Sequence, residues 1–437
     1  MICTSTRGSA APVTFREALF RGQSPDGGLY MPQGLPALTT ADLRSLASLT
    51  YPELAYELGR RLLGDEIDDE GMADITQAAY WFAPRLEPLQ HDLHVLELFH
   101  GPTCSFKDFG AQFMAKAMGH FARDESNSLT ILVATSGDTG SAVAHAYHRL
   151  EGIRIVLLYP SGKVSPLQEK QFTTLGDNVQ AIEVQGTFDD CQAMAKQAFA
   201  DGELSERIRL SSANSINIGR LIPQSFYYVW SVSQRLKDGI DNVVVCVPSG
   251  NFGNLTAGFF AKRMGVPIEM FVAAVNANTV IPEYLETGCY RPRPSVRTYS
   301  NAMDVGTPSN WERIRYLYDD DHGRIKSVLW STSVDDECTL TRMQRTYERY
   351  HYIVDPHTAV GLEAVERCRQ QVPLAAKSAV VSLSTAHPAK FNEVLELALG
   401  KCAELPEPLQ EVMSKEKNAL LMGSHYAELK EYLWNSN

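Results

Sequence analysis

No stretch of the chain approaches the roughly 20 consecutive apolar residues that a membrane-spanning helix needs, and positive charge is not in excess. The net charge is −12 over 437 residues, which argues against nucleic acid or an anionic membrane as a general partner. Eight cysteines, at positions 3, 104, 191, 246, 289, 338, 368 and 402, form no CxxC pair and no Cys/His metal spacing. No metal is therefore expected, and free thiols in a reducing compartment are. The N-terminus has neither the charged n-region nor the apolar h-region of a secretory signal, so a cytoplasmic location is expected. Internal repeats and low-complexity segments are absent as well.

What is present is organised around His100-Gly101-Pro102-Thr103-Cys104-Ser105-Phe106-Lys107-Asp108-Phe109. The apolar run Val95 to Phe99 before it predicts a strand. The stretch after it, with Phe109, Phe113 and Met114 on one face, predicts a helix. Lys107 thus falls at a strand-to-helix junction, where backbone amides and a helix N-terminus favour anions. Shielding by Phe106 and Phe109 would desolvate its amine and lower its pKa. Such a lysine is a Schiff-base nucleophile.

The length exceeds one ordinary core, and three segments are expected. Residues 1–88, with amphipathic patterns over 40–48, 51–63 and 69–81, predict an N-terminal helical cap with its own small core. Residues 89–225 predict an α/β domain carrying the lysine. Residues 226–437 predict a larger α/β domain, ending in a polar, helical tail. Apolar runs such as Leu129–Ala134, Ile153–Tyr159 and Asn242–Val247 alternate with helical patterns, which predicts open, mostly parallel sheets.

Ligands of such sheets bind outside the carboxyl ends of the strands. Three loops there carry chemistry. Gly250-Asn251-Phe252-Gly253-Asn254 has two glycines ahead of a helix, so its amides can approach an anion. It is neither a Walker loop nor GxGxxG, and a small phosphate monoester fits it better than a nucleotide. Ser136-Gly137-Asp138-Thr139 forms a second cradle, suited to a substrate carboxylate. Thr385 ends the last strong strand, where its hydroxyl could meet a pyridine nitrogen. On the residues alone, the first loop reads equally well as an Asn-capped turn, and Asp138 as a helix cap. A lysine, a phosphate grip, a carboxylate grip and a hydroxyl for a ring nitrogen together describe a pyridoxal phosphate enzyme.

The chain resembles the threonine synthase family over nearly its whole length. The residues that carry the resemblance are Ser5 to Gly8, Asp26 to Tyr30, His100 to Asp108, Ser136 to Gly140, Asn214 to Arg220, Pro248 to Asn254, Asn301 to Val305 and Thr385 to Phe391. The resemblance implies a fold-type-II (tryptophan synthase β-like) enzyme that converts O-phospho-L-homoserine and water into L-threonine and phosphate by β,γ-replacement. It implies Lys107 as cofactor lysine and general base and acid, the loop Gly250 to Asn254 as the cofactor phosphate site, and Thr385 at the pyridine nitrogen. The departing phosphate needs cations, and Lys163 and Arg220 are candidates, with Ser136 to Thr139, Ser161 and Asn217 donating hydrogen bonds. Lys163 reads equally well as a solvated loop lysine. A phospho-lyase of the same fold, releasing 2-oxobutyrate, is the alternative reaction, and a cofactor-free binding protein is the alternative class. Monomer and homodimer are both compatible with the sequence. Three positions depart from the family's pattern: Cys104, a free thiol near the lysine and so an oxidation liability, its neighbour Ser105, and Asp138, which is awkward beside a held anion and stands where related enzymes often carry asparagine. The short N-terminus lacks the extension of plant-type relatives, so activation by S-adenosylmethionine is not expected.

Overall fold

The computed structural model describes residues 1–123, 128–135 and 137–435. Two sheets dominate it. The larger has six strands in the order Leu329–Ser333, Ile268–Val275, Val243–Pro248, Ala379–Ser384, Leu93–Glu97 and Arg85–Gln90. All pair in parallel except the last, which is antiparallel to Leu93–Glu97. The smaller is wholly parallel, in the order Leu420–Met422, Val179–Val184, Ile153–Pro160, Leu129–Ala134 and Arg209–Ser211. The central strands Leu129–Ala134, Val243–Pro248 and Ala379–Ser384 are buried at every position, because helices cover both faces of each sheet. The expected architecture of open, mostly parallel sheets is the one observed. Among the described residues no helix is long and apolar enough to cross a membrane.

The segment boundaries differ from those expected. Arg85–Gln90 and Leu93–Glu97 belong to the larger sheet, although they precede every strand of the smaller one. The tail is not purely helical, since Leu420–Met422 returns to edge the smaller sheet and the helix Tyr426–Asn435 follows it. Divisions at 88 and 225 therefore cut across both sheets. Strand pairing with a partner hundreds of residues away leaves no local signal, and three-residue strands carry almost no periodicity.

The N-terminal segment folds as helices Thr40–Leu46, Tyr51–Leu63 and Asp69–Ala79. Capping boxes at Thr39/Asp42 and Thr50/Glu53 start the first two, and the Asp68 side chain accepts from Gly71 N–H to start the third. It does not have its own core. Tyr51 and Phe82 pack edge-on against Phe109, at 5.3 and 4.9 Å between ring centroids. The Tyr80 hydroxyl donates to the Phe109 carbonyl at 3.0 Å. Their apolar residues run unbroken into those of the helices Lys107–Ala122 and Gln224–Lys237. The cap is therefore a brace for the first turn of the helix that begins at Lys107. Replacing Phe109 with alanine removes the ring on which the brace closes. The expected cost is about 3–5 kcal/mol, read as a lowered midpoint in chemical denaturation, and a loss below about 1 kcal/mol would show that the cap stands independently.

Candidate active site

Lys107 is the first residue of its helix, and the turn before it is built to hold it there. Thr103 donates to Asp108 twice, through its amide at 2.9 Å and its hydroxyl at 2.7 Å. The Asp108 carboxyl closes over Gly101, where a Cβ would come within 2.6 Å of Oδ2, so only glycine fits. Burial, opposed by those hydrogen bonds, pushes the Asp108 pKa up to about 6. Cys104 adopts φ +55° within the same turn. Burial raises the Cys104 thiol to about 12, so it stays protonated and inert, which removes the expected oxidation hazard.

The Lys107 side chain is 15% exposed, with Nζ 3.8 Å from Asp138 Oδ2 and 4.8 Å from the Phe106 ring centroid. Its pKa is lowered, by burial above all and by the Lys390 and Arg220 charges, against the pull of Asp138 and Asp108. Of the two expected shields only Phe106 lies over the amine. Phe109 faces away, into the tyrosine cluster of the brace.

The end of the strand Ala379–Ser384 is zipped onto this turn. Phe106 N–H donates to the Thr385 carbonyl at 2.9 Å, His387 N–H donates to the Cys104 carbonyl at 3.0 Å, and Ser105 pairs with Ala386. Thr385 is buried, and among the described residues its hydroxyl has no hydrogen-bond partner.

Residues 250–254 form the mouth of the helix Gly253–Arg263. Among the described residues the amides of Gly250 through Leu255 donate to nothing. Phe252 caps the helix at φ +60°, ψ 10°, a left-handed conformation that costs a phenylalanine free energy and turns the amides outward. Its ring is pinned edge-on to Trp311 at 5.5 Å. A Cβ on Gly250 would meet Met303 Cα at 2.7 Å, whereas one on Gly253 would have 3.3 Å to its nearest neighbours. Gly250 is thus the stricter requirement. Two side chains of the loop are spent on scaffolding. Asn251 donates to Ser215 Oγ at 2.7 Å and accepts from Ser309 N–H at 2.7 Å. Asn254 Oδ1 accepts from the hydroxyls of Tyr227 and Tyr228, both at 2.6 Å, which leaves Asn254 Nδ2 buried without a partner. A row of free amides, an orphaned amide donor and a glycine that cannot carry a Cβ fit the phosphate of pyridoxal phosphate.

The second cradle is organised differently from expectation. Ser136 lies outside the described residues. Gly137 has φ +149° and backs onto the Gln168 side chain. The Thr135 hydroxyl accepts from the Gly137 and Gly140 amides, and Thr139 is half-buried. Asp138 is not a helix cap, since the helix begins at Asp138 itself and no side chain caps it. The carboxylate is buried instead against cations: Lys390 Nζ at 2.6 Å and Lys107 Nζ at 3.8 Å, with Gln168 Nε2 donating at 2.9 Å. Burial pushes its pKa up, but Lys390 and Lys107 outweigh that and hold it below the usual carboxylate range.

Of the remaining candidates, Asn217 is corrected to a structural role. It is fully buried, donates to the Leu19 and Ser212 carbonyls at 2.8 and 2.9 Å, and accepts from Gly219 N–H. No donor is left for a substrate. Ser161 donates to Glu183 at 2.7 Å, and Lys163 is exposed on its loop. Neither joins the Lys107 cluster. Arg220 does: it is buried, donates to the Ala213 carbonyl at 2.8 Å, and keeps Nε without a partner. Among the described residues it has no ion pair, and burial lowers its pKa to about 10. Two residues escaped sequence reasoning. Lys390, the only lysine in the Thr385 to Phe391 stretch, was identifiable in principle. Arg313 was not. It is buried and donates to the carbonyls of Tyr30, Ser215 and Ile216 and to Asn310 Oδ1, clamping the 214–217 turn beside the glycine loop.

The fold and this constellation define a pyridoxal phosphate enzyme of fold type II, and the family profile "Pyridoxal-phosphate dependent enzyme" matches residues 73–386. Profiles for the threonine synthase N terminus and C-terminal region match residues 3–80 and 358–433. Threonine synthase from Haemophilus influenzae is 43% identical over 427 residues, covering 97% of each chain. The crystal structure of threonine synthase from Escherichia coli superposes with a TM-score of 0.92 at 40% identity, covering 100% of both chains. The pyridoxal phosphate-bound threonine synthase from Brucella melitensis gives a TM-score of 0.92 at 32% identity, covering 100% of this chain and 99% of that one. The chain belongs to the threonine synthase family. The structural role of Asn217 is testable: Asn217→Ala is expected to lose about 2–3 kcal/mol of stability by urea denaturation with KM unchanged. A raised KM in a protein of normal stability would return Asn217 to the substrate site.

Proposed function

We infer that Lys107 carries the cofactor and moves the protons as this enzyme converts O-phospho-L-homoserine and water into L-threonine and phosphate. The observation that carries the reading is a lysine amine at a strand-to-helix junction, largely desolvated, with a lowered pKa and a carboxylate 3.8 Å away. Pyridoxal phosphate, when bound, supplies an electron sink for negative charge at Cα and Cβ. The amides of Gly250 to Asn254 would hold its phosphate and the Thr385 hydroxyl its ring nitrogen. Freed by the substrate amine, Lys107 Nζ takes the proton from Cα. Its lowered pKa eases access to the neutral, proton-accepting form. A second proton leaves Cβ, the C–O bond at Cγ breaks with loss of phosphate, and water adds at Cβ. The two protons taken from Cα and Cβ are then returned, one to Cγ and one to Cα, by Lys107, which remains tethered beside the reacting carbons, while the second proton of the water leaves with the phosphate.

Arg220 is the cation best suited to the departing phosphate dianion. It is buried beside the Lys107 helix, makes no ion pair among the described residues, and retains an unpaired Nε. Arginine can grip phosphate with two parallel charge-assisted hydrogen bonds. A cytoplasmic location belongs to the same proposal, supported by eight cysteines that carry no disulfide. So does an assembly no larger than a homodimer.

Lys107→Ala is expected to abolish both turnover and the visible absorbance of the cofactor-bound protein. Threonine, 2-oxobutyrate and phosphate are assayed together, so that a phospho-lyase would be recognised by its keto acid. Retained absorbance with turnover would place the cofactor on another lysine. Arg220→Lys is expected to lower kcat/KM tenfold to a thousandfold, about 1.4–4 kcal/mol of transition-state stabilisation, at unchanged absorbance. An early-melting variant with normal turnover would assign Arg220 to structure alone.

A further inference from the structure

The helix starting at Asp138 rises from the smaller sheet, and the turn Pro388–Phe391 follows the last strand of the larger one. Asp138 and Lys390 meet between them. The Lys390 side chain has no exposure, and its ammonium is 2.6 Å from Asp138 Oδ1 and 2.9 Å from the Thr103 carbonyl. The other Asp138 oxygen is 3.8 Å from Lys107 Nζ. Thr103 is the residue whose amide and hydroxyl anchor Asp108, and so fixes where Lys107 starts. A buried lysine therefore binds both the carboxylate that faces the reactive amine and the turn that presents it.

We propose that Lys390 is a positioning residue that holds Asp138 as a carboxylate against Lys107 Nζ, so that this pair sets the proton affinity of the reactive nitrogen. The proposal rests on the assignment of Lys107 as the cofactor lysine. Its physical basis is that a carboxylate in a buried site either finds a cation or takes up a proton. Without Lys390, Asp138 would have only Lys107 as a counter-charge. With it, the aspartate can stay ionised whether Lys107 is charged or neutral, which a residue that gains and loses a proton in each cycle requires. Asparagine at this position could orient a proton but would not favour the charged nitrogen.

The groups around this pair come from four elements. Lys107 and Asp108 share one helix, Asp138 begins another, Arg220 lies in Ile218–Leu221, and Lys390 lies in the turn after the larger sheet. Gln168 donates to Asp138 from a fifth, Pro166–Thr173, and the Cys104 thiol stays neutral nearby. The signs of the two perturbations follow directly. Removing the Lys390 charge leaves an extra negative charge facing Lys107 and raises its proton affinity. Removing the Asp138 charge leaves Lys107 among Lys390 and Arg220 and lowers it.

The test titrates the visible absorption band of the cofactor-loaded full chain against pH, since the protonation of Lys107 Nζ changes that band. Lys390→Gln keeps a hydrogen-bond donor for the Thr103 carbonyl and loses only the charge. Its midpoint is expected to rise by about one pH unit. Asp138→Asn is expected to shift it down by about the same amount, and the double variant, which removes both charges, to titrate near the unmodified protein. The acid limb of the kcat/KM profile should move with each midpoint. Midpoints within about 0.3 unit of the unmodified protein, or shifts of the same sign in both single variants, overturn the proposal. A purely structural latch would lower the melting temperature in both single variants without opposed midpoints. If Lys390→Gln fails to accumulate as folded protein, Asp138→Asn and the double variant decide the matter alone. Loss of the band altogether in Lys107→Ala is a separate result, so the assignment of Lys107 and the role of Lys390 can fail independently.

Discussion

A lysine amine taken out of water is the constraint on which the rest of the structure turns. Desolvation disfavours the ammonium, and uncompensated buried charge costs about 3–5 kcal/mol when a partner is removed. Here three cations, Lys107, Lys390 and Arg220, are gathered with Asp138 and Asp108 in a protein of net charge −12. The global field does not help, because at physiological ionic strength it is screened beyond about 8 Å. Attraction for a phosphorylated substrate must therefore be local and buried. On the proposed function, the Arg220 guanidinium, whose Nε has no partner, would be that local charge, while the free amides at the mouth of Gly253–Arg263 would serve the cofactor phosphate.

Holding such a cluster in place requires rigidity from several directions. The N-terminal helices close an aromatic cluster on Phe109, two residues past the lysine. The end of the strand Ala379–Ser384 is hydrogen-bonded to both sides of Ser105. Arg313 and Asn217 lock the 212–217 turn from beneath. A site tolerates little displacement of its reacting groups, and each of these supports comes from a different part of the chain. This explains why the family's resemblance spans nearly the full length instead of one domain.

The legible parts of the molecule were those whose cause is local. A six-residue apolar strand, a capping box or a glycine ahead of a helix states its own conformation, and so the parallel sheets and the helices of the N-terminal segment were readable. The illegible parts were pairings across sequence. The strand Leu420–Met422 is three residues long and partly exposed, and only its partner Val179–Val184 makes it a strand. Asn217 and Asn251 carry the same groups as a ligand-binding asparagine, and only the positions of Leu19, Ser212 and Ser215, which accept from them, and of Ser309, which donates to Asn251, show those groups to be engaged. Asp138 was the opposite case. The sequence marked it as anomalous beside an anion, and the anomaly disappears once Lys390 arrives from the far end of the chain.

That last contact also decides how the two sheets relate to the chemistry. Lys390 reaches Asp138 from the larger sheet's side, and the carboxylate stands between Lys390 and Lys107. Two contacts of unequal length hold the carboxylate, 2.6 Å to Lys390 and 3.8 Å to Lys107. The first is a close charge-assisted hydrogen bond and the second is too long to be one. The closer half of the bridge is thus the one whose geometry can orient the carboxylate.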